Sequence, residues 1–114
     1  AKVTYSSLKI KPFEKTVEVS IGEKTIEIKQ YLAISEKESL IDSVLQKSVV
    51  RGIYNPLEVE MYFNLNIIYL YTNISFSESQ RNDERKLYDA FESNGYIDQI
   101  VQAIPDEGTI TYER

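Results

Sequence analysis

The chain has 114 residues and a mass of 13.2 kDa, a size that suits one domain and leaves little room for two. It contains no cysteine, so disulfides, thiolate metal sites and cysteine nucleophiles are excluded. It also contains no histidine, which removes the commonest general base, the Ser-His-Asp triad and most transition-metal sites. The composition therefore predicts a non-enzymatic protein without a metal or a cofactor.

The formal net charge of −5 is distributed unevenly along the chain. Residues 1–51 hold nine Lys and Arg and seven Asp and Glu, for +2, whereas residues 52–114 hold four and eleven, for −7. The asymmetry is either an accident of surface composition or a sign of head-to-tail contact, in which the basic end of one subunit meets the acidic end of the next. Nucleic-acid binding is disfavoured, because the chain has no arginine cluster and its N-terminal lysines alternate with glutamates.

The sequence offers neither a membrane-spanning nor a secretory segment. No run of about 18 apolar residues exists, and Ala1–Tyr5 lacks the apolar core of a signal peptide. With no cysteine either, a cytosolic location that involves no membrane is the default expectation. The remaining alternative is assembly into a larger particle that is made in the cytosol.

The first 30 residues predict a β-hairpin region. Residues 16–21 and 24–29 alternate apolar and polar side chains, and Gly22–Glu23 connects them, which is the signal of a hairpin. The apolar side chains that would share one face are Val17, Val19, Ile21, Ile26 and Ile28. A further strand is predicted over residues 3–10.

Residues 35–104 predict a helical region. Ser35 and Glu38 have the spacing of a capping box, and Arg51–Gly52 is typical of a helix end, so a helix is predicted over 36–50. Its predicted apolar face carries Leu40, Ile41, Val44, Leu45 and Ser48.

The next helix is predicted to begin at Asn55–Pro56, with Asn55 as N-cap and proline at the first helical position. The segment 57–71 is apolar on nearly every side, which indicates a helix buried in a core or against a partner. Its many β-branched and aromatic residues leave a strand open as the alternative for 65–71.

Two more helices complete the prediction. Ser77 and Gln80 form a capping box for a helix over 78–93, and a short apolar helix follows at 96–103. The tail, residues 105–114, contains Thr109–Tyr112, which would be a short edge strand or a frayed end. The expected architecture is a single α+β domain, 1–114, in which an N-terminal β-hairpin or small antiparallel sheet packs on three to four helices.

Tyrosine is unusually frequent, with nine residues against four phenylalanines. A tyrosine-rich core with hydroxyls at its rim explains the count, and so does a protein-binding face, because tyrosine adds large contact area at a low cost in rotamer entropy. The residues expected to contact a partner are Tyr54, Tyr62, Tyr69 and Phe76.

Four segments together resemble a known family: Lys2–Lys9, Gly52–Leu57, Tyr69–Phe76 and Tyr96–Pro105. The resemblance is to small proteins encoded among the tail genes of siphophages and of prophages of Gram-positive bacteria, usually described as phage tail assembly chaperones. It spans roughly residues 2–105 and includes no catalytic or metal-binding motif.

The resemblance implies a protein that binds the long helical tape-measure protein and helps tail-tube subunits polymerise around it, in the cytoplasm of the host bacterium. We therefore expect these phage proteins as partners, together with self-association. One alternative is a structural component of the virion at the tail or the head-tail junction. Another is an acidic, phage-encoded inhibitor of a host defence protein, which the charge of residues 52–114 favours and which Arg81, Arg85 and Lys86 count against.

Overall fold

The computed structural model of the protein describes residues 2–105, over which it has two antiparallel strand pairs and five helices. The predicted α+β class, with an N-terminal hairpin packed on helices, is confirmed. The strands are β1 (Thr16–Ile21), β2 (Lys24–Lys29), β3 (Val49–Val50) and β4 (Ile53–Tyr54). The helices are α1 (Ile34–Ser48), α2 (Pro56–Tyr71), α3 (Glu78–Asn82), α4 (Glu84–Ser93) and α5 (Tyr96–Gln102). The strand considered at Thr109–Tyr112 lies outside the described residues.

The first strand pair is the hairpin that the alternating pattern predicts, with the same bounds. Val17 lies opposite Ile28 and Val19 opposite Ile26, so the apolar side chains share one face. Ile26 and Ile28 are buried, and the residues on either side of them along β2 are exposed. The hairpin therefore presents one apolar face to the helices and one polar face to water.

Helix α1 begins earlier than predicted, and the capping box expected from Ser35 and Glu38 is not formed. The backbone carbonyl of Ala33 accepts a hydrogen bond from the backbone N–H of Lys37 at 3.0 Å, and no side chain caps this end. Leu32, two residues before the first residue of α1, is buried in the core. Tertiary burial rather than a local cap therefore fixes where the helix starts.

The predicted helix end at Arg51–Gly52 is wrong. Helix α1 stops at Ser48, and Arg51 and Gly52 form the turn between the two-residue strands β3 and β4. Their φ angles are 55° and 81°, as a tight hairpin turn with two left-handed central residues requires. The backbone N–H of Asn55 donates to the carbonyl oxygen of Ser48 at 3.0 Å and closes this second hairpin.

Helix α2 matches the predicted helix, and the strand alternative for residues 65–71 is wrong. The Oδ1 atom of Asn55 accepts hydrogen bonds from the backbone N–H groups of Leu57 at 3.0 Å and Glu58 at 3.3 Å, and Pro56 occupies the first position. The buried side chains of α2 are Met61, Leu65, Ile67, Ile68 and Tyr71. A helix with so many buried positions crosses the centre of the fold.

The single helix predicted over 78–93 is instead two helices, so the described residues hold five helices and not three to four. The capping box of Ser77 and Gln80 forms as expected and starts α3. Asp83 then breaks the helix with φ −122° and ψ 69°, and its side chain accepts a hydrogen bond from the backbone N–H of Lys86 at 3.4 Å. Aspartate competes with the helix backbone in this way and so favours a new N-cap.

The strand predicted over residues 3–10 is also wrong. A single 3₁₀ turn at Ser6–Leu8 takes its place, and Lys9 has a left-handed backbone with φ 53°. The hydroxyl of Ser7 donates to the carbonyl oxygen of Thr4 at 2.8 Å, and the backbone N–H of Ser7 donates to the hydroxyl of Thr4 at 3.3 Å. Such local hydrogen bonds satisfy the backbone without a partner strand.

Residues 2–11 form an N-terminal arm in which every residue is exposed. The arm joins the folded body through the segment that precedes β1. There the backbone N–H of Gln30 donates to the carbonyl oxygen of Lys15 at 3.0 Å. The ring of Phe13 meets that of Tyr31 edge to face, with 6.4 Å between their centroids.

The core lies between the first hairpin and helices α1, α2 and α5. Its buried members are Ile26, Ile28, Leu32, Leu40, Val44, Ile67, Ile68, Tyr71, Ile97, Ile100 and Ile104. Only part of the predicted face of α1 belongs to it, because Leu40 and Val44 are buried while Ile41 and Leu45 stay largely exposed.

Candidate protein-binding surface

Two of the four predicted contact residues, Tyr69 and Phe76, are half-buried and pack against each other. Their rings meet edge to face with 5.4 Å between centroids. Phe91 of α4 lies 6.2 Å from Phe76, and Tyr96 of α5 lies 6.1 Å from Phe91. This run of aromatic rings connects α2 to the helices that follow it, at distances where ring pairs attract one another.

Polar contacts hold Tyr69 in the same place. Its hydroxyl donates a hydrogen bond to Oε2 of Glu84 at 2.8 Å, and the guanidinium of Arg81 lies 3.9 Å from the ring centroid. Glu84 also pairs with the ammonium of Lys47 at 3.2 Å, which ties α4 to α1. Burial raises the pKa of Tyr69, and the hydrogen bond to Glu84 adds to the effect because the carboxylate disfavours a neighbouring phenolate.

Tyr62 is half-buried on α2, one and a half turns after the helix begins. The ammonium of Lys47 lies 5.3 Å from its ring centroid, and its carbonyl oxygen accepts a hydrogen bond from Nδ2 of Asn66 at 2.8 Å. Tyr62, Tyr69 and Phe76 thus all make contacts within the chain. Their role towards a partner stays a prediction.

Tyr54 differs from the other three because it lies on an exposed apolar surface. It belongs to β4 and is 54% exposed, beside Ile53 at 71% and close in sequence to Leu57 at 79%. Val49, the residue opposite Tyr54 in the β3–β4 register, is also exposed. Val49 and Tyr54 are a cross-strand pair and share one face of this hairpin, whereas Ile53 precedes Tyr54 on β4 and points to the other face. We call the four exposed apolar residues around this turn, Val49, Ile53, Tyr54 and Leu57, the corner patch.

A small groove lies beside the corner patch, between the start of α2 and α4, with a volume of about 270 Å³. Its lining residues are Leu57, Glu58, Glu60, Met61, Arg85, Tyr88 and Asp89. Arg85 forms an ion pair with Glu58. Burial raises the pKa of Tyr88, and the negative charges of Glu92, Glu60 and Asp89 raise it further. We call this depression the acidic groove, because three carboxylates and one guanidinium line an apolar floor.

Sequence reasoning missed most of the exposed apolar side chains. The tyrosine count points to Tyr54 and not to Ile53 or Leu57, and the predicted helix end at Arg51–Gly52 places no hairpin there. A signal was present, since apolar pairs flank Arg51–Gly52 on both sides and glycine favours a hairpin turn. No sequence pattern of this kind indicates that the arm is exposed, because its alternating apolar and polar residues are also typical of a strand.

Over residues 2–105, no group of three or more acidic side chains is placed to hold a metal ion. In the same part of the chain, every helix is too short or too polar to traverse a lipid bilayer. Comparison with protein-family models, curated proteins and solved structures finds no significant match to this chain. Its function therefore has to be argued from the surfaces themselves and from the resemblance of its sequence segments.

Proposed function

We propose that this chain is a non-enzymatic assembly protein of a siphophage tail. It acts in the cytoplasm of the host bacterium as a chaperone that binds the tape-measure protein and promotes polymerisation of tail-tube subunits. The corner patch is the observation that carries the proposal, and the resemblance of four sequence segments to tail assembly chaperones supports it.

The corner patch has the chemistry to bind a helix. It places three strongly exposed apolar side chains, Ile53, Tyr54 and Leu57, on a short hairpin and on the first turn of α2. The Asn55 cap and the Arg51–Gly52 turn hold this backbone, so little conformational entropy is lost on binding. An amphipathic helix, of the kind a long helical protein offers repeatedly, would cover the face that carries Val49 and Tyr54 with its apolar stripe.

The proposal is tested with overlapping fragments of the tape-measure protein from the same phage genome. We expect Val49→Asp and Tyr54→Asp each to weaken binding about tenfold or more, because a carboxylate would be buried on an apolar contact. Tyr5→Asp is the matched control: it makes the same substitution at a tyrosine of the arm that is 76% exposed, against 54% for Tyr54, and should leave fragment binding unchanged. Absence of binding to any fragment, or equal binding by all variants, would contradict the proposal.

A second measurement separates the chaperone from the structural alternative. A chaperone leaves the particle, so mass spectrometry of purified virions should not detect this chain at the abundance of tail subunits. Detection at stoichiometric abundance would instead make it a component of the tail or the head-tail junction.

A further inference from the structure

The N-terminal arm leaves an unusual set of side chains in water. Val3, Tyr5, Leu8 and Ile10 are between 55% and 76% exposed, although all four are large and apolar. A run of exposed apolar side chains of this kind marks an interaction surface more often than a solvated loop. The arm is also basic throughout, since it carries three lysines and no acidic residue.

The acidic groove has the complementary chemistry. Met61 is buried and Tyr88 half-buried there, the exposed Leu57 adds further apolar surface, and three carboxylates line the same groove. Among residues 2–105 the groove has one lining cation, Arg85, and that cation already pairs with Glu58. The remaining two carboxylates that line it are Glu60 and Asp89.

We propose that the arm of one copy of this chain binds in the acidic groove of a second copy. In this contact the apolar side chains of Leu8 and Ile10 cover the floor of the groove. Lys9 and Lys11, which alternate with them, face the carboxylates of Glu60 and Asp89. Opposite charges arranged in this way select the register and orientation of a contact.

The arm does not occupy the groove of its own chain in the structure. Residues 2–11 are all exposed, and within the described part of the chain the residues that line the groove come from α2 and α4 alone. Ten residues reach about 33 Å when fully extended, which is enough to cross onto an adjacent molecule. The inference does not depend on the proposed function, because it concerns only two surfaces of the same chain.

The contact is head-to-tail, since the arm and the groove are different surfaces. Each copy that joins an assembly keeps a free arm or a free groove, so the interaction generates open chains, or rings where the rotation closes. Because charged pairs contribute to it, the association should weaken as ionic strength rises and the Debye length falls below about 10 Å.

The decisive experiment reverses charge on each surface and then mixes the two variants. Lys9→Glu/Lys11→Glu makes the arm acidic, and Glu60→Lys/Asp89→Lys makes the groove basic. Each variant alone should associate about tenfold or more weakly than the original chain in sedimentation velocity, because like charges then meet. An equimolar mixture should associate again, since the acidic arm of one variant fits the basic groove of the other.

Matched variants control for net charge and for folding. Lys24→Glu/Lys29→Glu on β2 and Glu38→Lys/Asp42→Lys on α1 make the same charge changes at exposed positions. They should associate as the original chain does, and circular dichroism checks that all variants fold. The inference is overturned if the original chain stays monomeric at all concentrations, if the arm variant associates normally, or if the mixture remains monomeric.

Discussion

Leu40 and Leu8 have the same side chain and opposite surroundings. Leu40 lies on α1, is 0% exposed and packs in the core with side chains from the first hairpin, α2 and α5. Leu8 ends a 3₁₀ turn in the arm and is 55% exposed. Both leucines lie in segments where apolar residues recur at regular spacing, so the hydrophobicity of the segment alone does not decide which leucine is buried.

The difference lies in what each segment can pair with inside the chain. Helix α1 packs against α2, and the first hairpin adds Ile26 and Ile28 to the same core. In the arm, hydrogen bonds between Thr4 and Ser7 pair some of the backbone polar groups, and the side chains stay exposed to water. The core is therefore the region that stabilises the fold, and the arm and the corner patch are the regions available to other molecules.

The largest expected effect is a loss of stability when Leu40 is shortened, compared with the same substitution at Leu8. Leu40→Ala removes buried methyl groups and leaves a cavity, so it should lower the free energy of unfolding by about 3 kcal/mol. Leu8→Ala should change it by less than about 0.5 kcal/mol, because the side chain is exposed. Urea unfolding at a concentration where the chain is monomeric measures both, and equal effects would contradict the division into core and arm.

The same comparison can be made with two tyrosines. Burial raises the pKa of Tyr71 to about 12, and the nearby Tyr31 and Glu36 contribute. Below pH 10 the hydroxyl is protonated in both the folded and the unfolded chain, so stability does not depend on it. Above pH 10 the unfolded chain loses this proton first, and stability falls until the pH passes the folded pKa.

Urea unfolding between pH 9 and pH 11 tests whether stability falls in this way as the pH rises. The loss of stability over that interval should be about 1.3 kcal/mol smaller in Tyr71→Phe than in the original chain. Tyr5→Phe is the matched control, because it makes the same substitution at an exposed tyrosine of the arm. An identical pH dependence in Tyr71→Phe would show that this hydroxyl does not resist ionisation in the folded state.

The elements predicted correctly depend on signals within a few residues of each other. The first hairpin follows from period-two alternation, and the start of α2 follows from the cap at Asn55–Pro56. The start of α1 was mispredicted because the burial of Leu32 outweighs a local capping pattern at Ser35. The break at Asp83 was missed because the same residue suits a helix surface and an N-cap.

The candidate site was less predictable than the fold. Tyr54 and Tyr69 were chosen for the same reason, yet only Tyr54 is strongly exposed. The difference arises because α3 and α4 fold back on α2, which brings Phe76, Arg81 and Glu84 onto Tyr69. Which tyrosine is covered is thus decided by helices that lie later in the chain, and local patterns carry no information about that packing.

The smallest predicted effect concerns a defect within the core itself. Ser48 at the end of α1 is fully buried, and its hydroxyl has no hydrogen-bond partner among residues 2–105. Ser48→Ala removes this unsatisfied group and should stabilise the chain by about 1 kcal/mol. Ser39→Ala on the exposed side of the same helix measures the gain from helix propensity alone, which is about 0.5 kcal/mol. A Ser48→Ala variant less stable than Ser39→Ala would mean that the hydroxyl contributes a stabilising contact in the folded chain.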